Sequence, residues 1–486
     1  MKLNNLINDK RLSKNNINIK GLSENSKEIK NNYIFFLKNT KNFKKKYIAE
    51  AINKGAKVII YKKTKTLNLS KFQEQSLFYE VDDIAKSMSE ISRKFFNIKK
   101  NSIKIYGVTG TNGKSSVASY ISQLLTKNNE KCGIIGTVGS GIYPNIKDSN
   151  LTTPNIINIC KTIYTFCKKG VLNLAMEVSS HGLSQNRVNG LYFNTVIFTN
   201  LTNDHLDYHK NMRNYFSAKL KLFTECNNKN KVVSIDNYYG KKIFNMYKKD
   251  KNIKTVSLYN NAANYYASNI LYSKDGINFC INSKYGKKNT KIKLYGEFSV
   301  ENILLAIASI VKNKKDYCFF LKKIEDLKPL QGRLNKYVKK NFPIVFIDFA
   351  HTPDAFQKTL VSIKKHFPNT DLITVFGCGG ERSSSKRKIM GEIADKYSNE
   401  IIITNDNPRN EDPREITNQI VSGICKNSNF KVIHDRSEAI CNSVTSENKN
   451  KIVLILGKGH ETEQIIEQDK IYFSDKEEVQ KAFNYE

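Results

Sequence analysis

The chain has 486 residues, 40% of them hydrophobic, and a formal charge of +34. That length suits about three domains. The polar start, residues 1–20, does not read as a signal peptide, and no apolar run approaches the ~18 residues of a membrane span, so membrane insertion is not expected. Lysine and asparagine are spread along the whole chain and arginine, the usual base reader, is scarce, so the charge does not predict a nucleic-acid partner. Taken in order, residues 1–98 read as a small N-terminal α/β domain, with strands at 33–37 and 56–61 and a helix at 47–54 between them. Residues 99–329 read as a central domain in which strands at 103–106, 132–135, 172–177 and 195–199 alternate with helices. Residues 330–486 repeat that alternation, with strands at 344–348, 372–376, 400–404 and 452–456. Alternating strands and helices imply doubly wound, mostly parallel sheets, the last of them Rossmann-like, whose ligands gather beyond the carboxyl ends of the strands. Nine scattered cysteines, an odd number with no C-x-x-C pair, fit the reduced thiols of a cytoplasmic protein.

The first strand of the central domain runs into Gly107-Val-Thr-Gly-Thr-Asn-Gly-Lys-Ser-Ser116, followed by a helical run at 116–125. A glycine-rich turn between a strand and a helix is the build of a phosphate cradle. Backbone N–H groups can turn onto an anion, Lys114 adds a point charge, the helix start adds its dipole, and Ser115 can reach a magnesium ion. Val108 stands at the first glycine position of the strict P-loop pattern, so the loop is a variant. It predicts a nucleoside triphosphate.

Glu177 ends an apolar strand in the same sheet, where a Mg²⁺ ligand or a water-positioning carboxylate is expected. Asn200-Leu-Thr-Asn-Asp-His-Leu-Asp-Tyr-His209 follows the next strand. The spacing of His205 and His209 would place both on one helix face. No His-Glu-x-x-His, cysteine or third histidine joins them, so zinc is not expected. A plainer reading is a helix start capped by Asp204, with His205 in the first turn. The chain has no G-x-S-x-G and no Cys–His nucleophile pair.

The segments Gly110-Thr-Asn-Gly-Lys-Ser-Ser116, Glu177-Val-Ser-Ser-His-Gly-Leu-Ser-Gln-Asn-Arg187, Asn200 to His209, Gly332-Arg333, Asp348-Phe-Ala-His-Thr-Pro-Asp354 and Gly457-Lys-Gly-His-Glu461 together resemble the Mur ligases of bacterial cell-wall synthesis. Among these, the chain is most similar to the members that add the third peptide residue. The resemblance is strong from about residue 103 to 475 and weaker before that, where Asn25-Ser26-Lys27 replaces the family's Asp-Ser-Arg. It implies an ATP-dependent ligase that activates a carboxylate as an acyl phosphate and lets an amine attack it. Gly110, Thr111, Asn112, Gly113, Lys114, Ser115 and Ser116 would hold ATP, with Asn302 on the adenine side and Arg333 and Asp348 near ribose and phosphates. Lys114, Glu177, His205 and Lys219 would be the catalytic set. Lys219 would be carbamylated by CO₂ and would join Ser115, Glu177 and His205 around Mg²⁺. Ser26, Thr152, Thr153, Ser179, Gln185 and Arg187 match positions that bind the UDP-N-acetylmuramoyl-dipeptide. Two further departures, Ser299 for Asn and Glu381 for Asp, are conservative.

Members that add meso-diaminopimelate carry Asp-Asn-Pro-Arg, here Asp406, Asn407, Pro408 and Arg409; lysine-adding members usually lack the arginine. The chemistry agrees, because diaminopimelate carries a second carboxylate that a guanidinium fork can pair with. Arg382 would supply another positive group, and Gly457 and Glu461 would face the amino acid's other end. A monomer is expected, with a hinge near residue 330. The rival readings are the same reaction with L-lysine, a folylpolyglutamate synthase, a nucleic-acid-dependent ATPase suggested only by charge, and a regulatory module built on an inactive ligase.

Overall fold

The computed structural model describes residues 1–9, 12, 17–38, 46–62, 72, 75–149, 151–381 and 384–484. Two compact units make up the chain. One comprises Met1–Gly107, Asn129–Val196 and Ala218–Lys229; the other comprises Val108–Asn128, Ile197–Ser217 and Asn230–Glu486.

The first sheet is parallel throughout, in the order β1 (Gly21–Ser23), β2 (Tyr33–Leu37), β3 (Ala56–Lys62) and β4 (Leu77–Val81). Phe35, Leu37, Ala56 and Ile59 present one face of it to Ile48 and Ala51 of the helix Lys46–Asn53. Phe35 and Leu37 follow the two-residue period of a pleat, whereas Ala56 and Ile59 are three apart and share the face through the register shift between Tyr33 and Ile34.

The central sheet is built from β5 (Lys104–Thr109), β6 (Cys132–Gly136), β7 (Gly139–Ile142), β8 (Asn145–Lys147), β9 (Asn173–Glu177), β10 (Tyr192–Phe198), β11 (Asn227–Ser234), β12 (Ile253–Ser257), β13 (Tyr265–Ser273), β14 (Gly276–Ser283) and β15 (Gly286–Ile292). Its order is β15-β14-β13-β12-β11-β10-β5-β9-β6-β7-β8. β6 pairs with β9, β11 with β12 and β12 with β13 in parallel; β7 and β8 on one edge and β14 and β15 on the other are antiparallel additions. The predicted strand at 195–199 starts earlier, at Tyr192, and ends one residue sooner. β5 lies between β9 and β10, the place where strand order reverses and ligands bind beyond the carboxyl ends.

The C-terminal sheet contains β16 (Asn335–Tyr337), β17 (Ile344–Asp348), β18 (Leu372–Phe376), β19 (Glu400–Ile403), β20 (Phe430–Val432) and β21 (Ile452–Leu456), in the order β16-β17-β21-β18-β19-β20. All pairs are parallel except β16 with β17. Phe346, Leu372, Phe376, Leu454 and Leu456 point to a core shared with the helices Pro353–His366, Ser385–Tyr397 and Pro413–Val421. Their neighbours Val345, Ile347, Ile373, Val375, Val453 and Ile455 point the other way, to Ala439 and Ile440 of the helix Arg436–Ser443 and to Val479 and Ala482 of the helix Asp475–Ala482. Both faces are covered, which is why these strands read as nearly unbroken apolar runs. Each such side chain contributes about 1.5–3 kcal/mol of burial. The hairpin of β22 (Glu463–Ile466) and β23 (Asp469–Tyr472) follows β21. No helix among the described residues is long and apolar enough to cross a membrane.

Candidate active site

β5 ends at Thr109 and the helix Lys114–Lys127 begins after Gly113. Gly113 sits at the N-cap with φ +88°, a left-handed conformation. A Cβ there would lie 2.5 Å from Asn302 Oδ1, so the loop needs a residue with no side chain against Asn302. The segment after β10 fastens the loop. The Thr111 N–H donates to the Asn200 carbonyl at 2.8 Å, and the Asn112 N–H donates to Asn200 Oδ1 at 2.9 Å. Thr199 Oγ1 and Asn200 Nδ2 both donate to the Asn112 carbonyl, at 2.6 and 3.2 Å. Thr111 Oγ1 meets the Tyr215 hydroxyl at 3.2 Å. Lys114 Nζ donates to the carbonyls of Gly110 and Thr111 at 3.0 and 2.8 Å. Ser115 is buried and Ser116 is partly exposed at the first turn.

The helix predicted to carry His205 and His209 on one face spans only Leu206–His209. His205 is its N-cap residue, left-handed at φ 52°, with no side-chain cap. Asp204 therefore does not cap the helix as expected. Its Oδ1 accepts from the adjacent His205 N–H at 2.9 Å, and its Oδ2 lies 3.3 Å from His205 Nε2. Burial alone would raise the Asp204 pKa, but His205, His351 and Lys114 outweigh it and hold the carboxylate below its ordinary value. His351 moves down, because burial outweighs the pull of Asp204. His209 stacks on Tyr215 at 5.0 Å between centroids.

A cleft of about 490 Å³ is lined by Asn112, Gly113, Ser115, Ser116, Asn302, Arg333 and Asp348, thus by most of the residues predicted for the nucleotide. Arg333 lies over the Phe349 ring at 4.7 Å, and its buried Nε has no hydrogen-bond partner among the described residues. A buried donor left over in this way suits a phosphate or hydroxyl ligand. Asp348 Oδ2 accepts from Leu334 N–H and Oδ1 from Ala350 N–H, each at 2.8 Å, and the Thr359 side chain also hydrogen-bonds the carboxylate. One of these bonds ties Asp348 to the residue that follows Arg333. Asn112 Nδ2 reaches Asp354 Oδ2 at 3.2 Å, a contact not expected from the sequence.

Glu177 and the residues predicted for the dipeptide substrate, Ser26 excepted, form one connected net. Glu177, 1% exposed, accepts from the Thr137 N–H at 2.8 Å and the Thr137 hydroxyl at 3.2 Å. Thr137 Oγ1 meets Thr152 Oγ1 at 3.1 Å. Thr153 Oγ1 donates to the Glu177 carbonyl at 2.9 Å and accepts from the Ser179 N–H at 3.0 Å. Ser179 caps the helix Ser180–Ser184. Arg187 donates to the Thr153 carbonyl at 2.7 Å and twice to Gln185 Oε1. Asn155 Nδ2 donates to Glu24 Oε1 at 3.0 Å. Ser26 is buried with its hydroxyl on Glu50 Oε2 at 2.7 Å. Lys219 is 2% exposed in the helix Met212–Thr224, so it is not the surface lysine that a lysine-rich composition would suggest.

The residues predicted for the amino acid are cross-linked at the carboxyl edge of the C-terminal sheet. Asn407 Nδ2 donates to Glu461 Oε2 at 3.1 Å. Lys458, fully buried, donates to Asn407 Oδ1 at 3.1 Å and to the Glu463 carbonyl at 2.6 Å, and lies 3.4 Å from Glu461 Oε2. Burial, reinforced by Asp406, raises the Glu461 pKa against Lys458. Arg409 is left-handed at φ 55°, and its Nη1 donates to the Gly380 carbonyl at 2.7 Å. Pro408 is buried beside it. Gly457 is left-handed at φ 112°, and a Cβ there would sit 2.6 Å from Asp406 Oδ2. Arg382 lies outside the described residues. Asn200 and Lys458 stand inside the Asn200–His209 and Gly457–Glu461 motifs, but their partners Asn112 and Asn407 lie far along the chain.

Residues 108–310 match the Mur ligase middle domain, and residues 332–459 match the Mur ligase glutamate ligase domain. The UDP-N-acetylmuramoyl-L-alanyl-D-glutamate–2,6-diaminopimelate ligase of Wigglesworthia glossinidia brevipalpis is 38% identical over 474 residues, covering 94% of each chain. The chain belongs to the Mur ligase family. The ligase of the same description from Rickettsia bellii is also 38% identical, over 96% of each chain. A solved structure of a ligase so described matches this Mur ligase with a TM-score of 0.68 at 30% identity, covering 96% of this chain and 95% of that one. The folylpolyglutamate synthase of Mycobacterium tuberculosis shares the fold at a TM-score of 0.60, with 14% identity over 75% of this chain and 91% of its own. The Mur ligase fold is the expected α/β one, with N-terminal, central and C-terminal sheets.

Proposed function

We infer that this Mur ligase is an ATP-dependent ligase that joins meso-2,6-diaminopimelate to UDP-N-acetylmuramoyl-L-alanyl-D-glutamate in peptidoglycan precursor synthesis. The observation that carries this reading is the near-full-length likeness, at 38% identity, to ligases of that description. The chemistry follows from charge. A free carboxylate is a poor acceptor for an amine, so the substrate carboxylate first attacks the γ-phosphorus of ATP and ADP leaves. The amine nitrogen then attacks the acyl carbon, phosphate departs with the C–O electrons, and the amine loses a proton. Two anions must be brought together, which calls for fixed cations and N–H donors rather than a covalent nucleophile.

In this reading the Gly110–Ser116 loop holds the phosphates, Asn302 the adenine side, and Arg333 the ribose or phosphates through its unsatisfied Nε. Ser115, Glu177, His205 and carbamylated Lys219 would hold Mg²⁺; hydroxyl and carboxylate oxygens suit a hard cation. Bound there, the ion would neutralise charge on the transferred phosphoryl group. Among the described residues no group of three or more His, Cys, Asp or Glu side chains could hold a metal ion, so this donor set depends on Ser115 and on the carbamate. Thr152, Thr153, Ser179, Gln185 and Arg187 orient the muramoyl-dipeptide, with Ser26 on the uridine side. Asp406, Asn407, Pro408, Arg409, Gly457 and Glu461, joined by Arg382, take the amino acid. Domain boundaries near residues 98 and 330, a monomer, and a cytoplasmic setting where ATP is supplied complete the proposal.

Phosphate release measured with the UDP-muramoyl-dipeptide and a panel of amino acids tests it. Release should require the muramoyl compound, and a new amide should form with diaminopimelate. Equal turnover with L-lysine would overturn the amino-acid assignment. Arg409→Ala should cost about 2 kcal/mol or more in kcat/KM for diaminopimelate, the scale of a lost charge-assisted bond.

A further inference from the structure

Two ionised side chains are buried at the carboxyl edge of the C-terminal sheet and take no part in the reading above. Arg436 opens the helix Arg436–Ser443 and is 2% exposed; Asp475 opens the helix Asp475–Ala482 and is 0% exposed. Their pairing is bidentate. Arg436 Nε donates to Asp475 Oδ1 at 2.7 Å and Nη2 donates to Oδ2 at 2.9 Å. A buried pair of this kind is weak evidence for stability, because desolvation offsets much of the attraction and well-packed apolar replacements are often neutral. The remaining bonds of the guanidinium point to another task. Nη2 also donates to the Leu456 carbonyl at 3.0 Å, and Nη1 donates to the Asn405 carbonyl at 3.4 Å. Leu456 closes β21 and Asn405 lies just past β19. The next residues in the chain are Gly457 and Asp406, the first residues of the two amino-acid loops. Those loops run so close that a Cβ on Gly457 would collide with the Asp406 carboxylate. After Asp475, Asp406 and Glu461 are the charges that favour the Arg436 cation against its burial.

We propose that Arg436, locked by Asp475, is a positioning residue for the amino-acid site: it ties the end of β21 to the segment after β19, and so fixes the spacing of the Asp406–Arg409 and Gly457–Glu461 loops. The proposal rests on the assignment of those loops to diaminopimelate. Lysine cannot replace the fork, since a single ammonium has no planar geometry with which to hold a carboxylate and two carbonyls at once. Small displacements of groups that orient a reactant are costly in rate, which is why a residue remote from the substrate can matter.

The test is steady-state kinetics of Arg436→Lys and of the paired replacement Arg436→Met with Asp475→Leu. Diaminopimelate, ATP and the muramoyl-dipeptide are varied in turn, with Arg409→Ala measured alongside. Both Arg436 variants should raise KM for diaminopimelate about tenfold or more while KM for ATP changes less than about twofold. If the paired replacement does not fold, Arg436→Lys carries the test. Parallel rises in both KM values, or an unchanged KM for diaminopimelate, would overturn the positioning role. Should Arg409→Ala raise KM for diaminopimelate while the Arg436 variants leave it unchanged, only that role falls. Should Arg409→Ala also leave it unchanged, the loop assignment fails and takes the proposal with it.

Discussion

Lys219 is only 2% exposed. Addition of CO₂ to its amine would turn the side chain into an anion able to support a divalent ion. Intact mass measured with bicarbonate should therefore show one added CO₂, absent in Lys219→Ala. That variant should lose about 10²-fold or more in kcat, the scale of a lost electrostatic stabiliser, and regain part of it with short carboxylic acids. Glu301 makes a second residue-scale prediction. It lines the nucleotide cleft and accepts from the Ser234 hydroxyl. Burial drives its pKa up to about 7, with Asp236 and Glu297 adding and Ser234 and Lys358 opposing. The folded protein thus holds a proton that the unfolded chain has released, and stability falls as pH rises from the ordinary carboxylate range through about 7. Glu301→Gln cannot ionise. Urea melts at pH 5 and pH 8 should show Gln gaining on Glu by on the order of 2 kcal/mol between the two; a gap that stays constant would refute the raised value.

Among the elements, the phosphate loop is held by its neighbours more than by its own sequence. Gly113→Ala would force a left-handed alanine against Asn302. It should raise KM for ATP about tenfold or more and lower the thermal midpoint, whereas KM for diaminopimelate should hold, as initial-rate kinetics can show. Which elements were legible follows from how they are buried. β2, β17, β18 and β21 fall at the residues expected, because strands covered on both faces are nearly continuous apolar runs. The edges were not legible. β15 reads Gly-Lys-Lys-Asn-Thr-Lys-Ile, a polar string that becomes a strand only by pairing with β14. The Asp204–His209 stretch misled in the other direction. Histidine spacing suggested a helix face, but the chain turns left-handed at His205 and the helix has a single turn.

At the scale of the whole molecule, the +34 charge is spread widely enough to act as a field rather than a binding stripe. Capture of ATP should weaken with screening. Raising KCl from low concentration to 0.5 M should lower kcat/KM for ATP several-fold and kcat much less, and DNA or RNA should not stimulate hydrolysis. The motifs carry most of the candidate residues, since each lies within a few consecutive positions. Asn200 on the phosphate loop, Lys458 on Asn407, and Arg436 on Asp475 were hidden, because each depends on a partner far along the chain. The strand order of the C-terminal sheet has a consequence for biosynthesis. β21 lies between β17 and β18 although it is made about a hundred residues after β17 begins. Until residues 452–456 leave the ribosome, those two earlier strands have no common neighbour and offer unpaired edges to other nascent chains. Truncation before Ile452 would therefore yield an aggregation-prone fragment, and the synthetic machinery must pass residue 456 before this part of the enzyme can close.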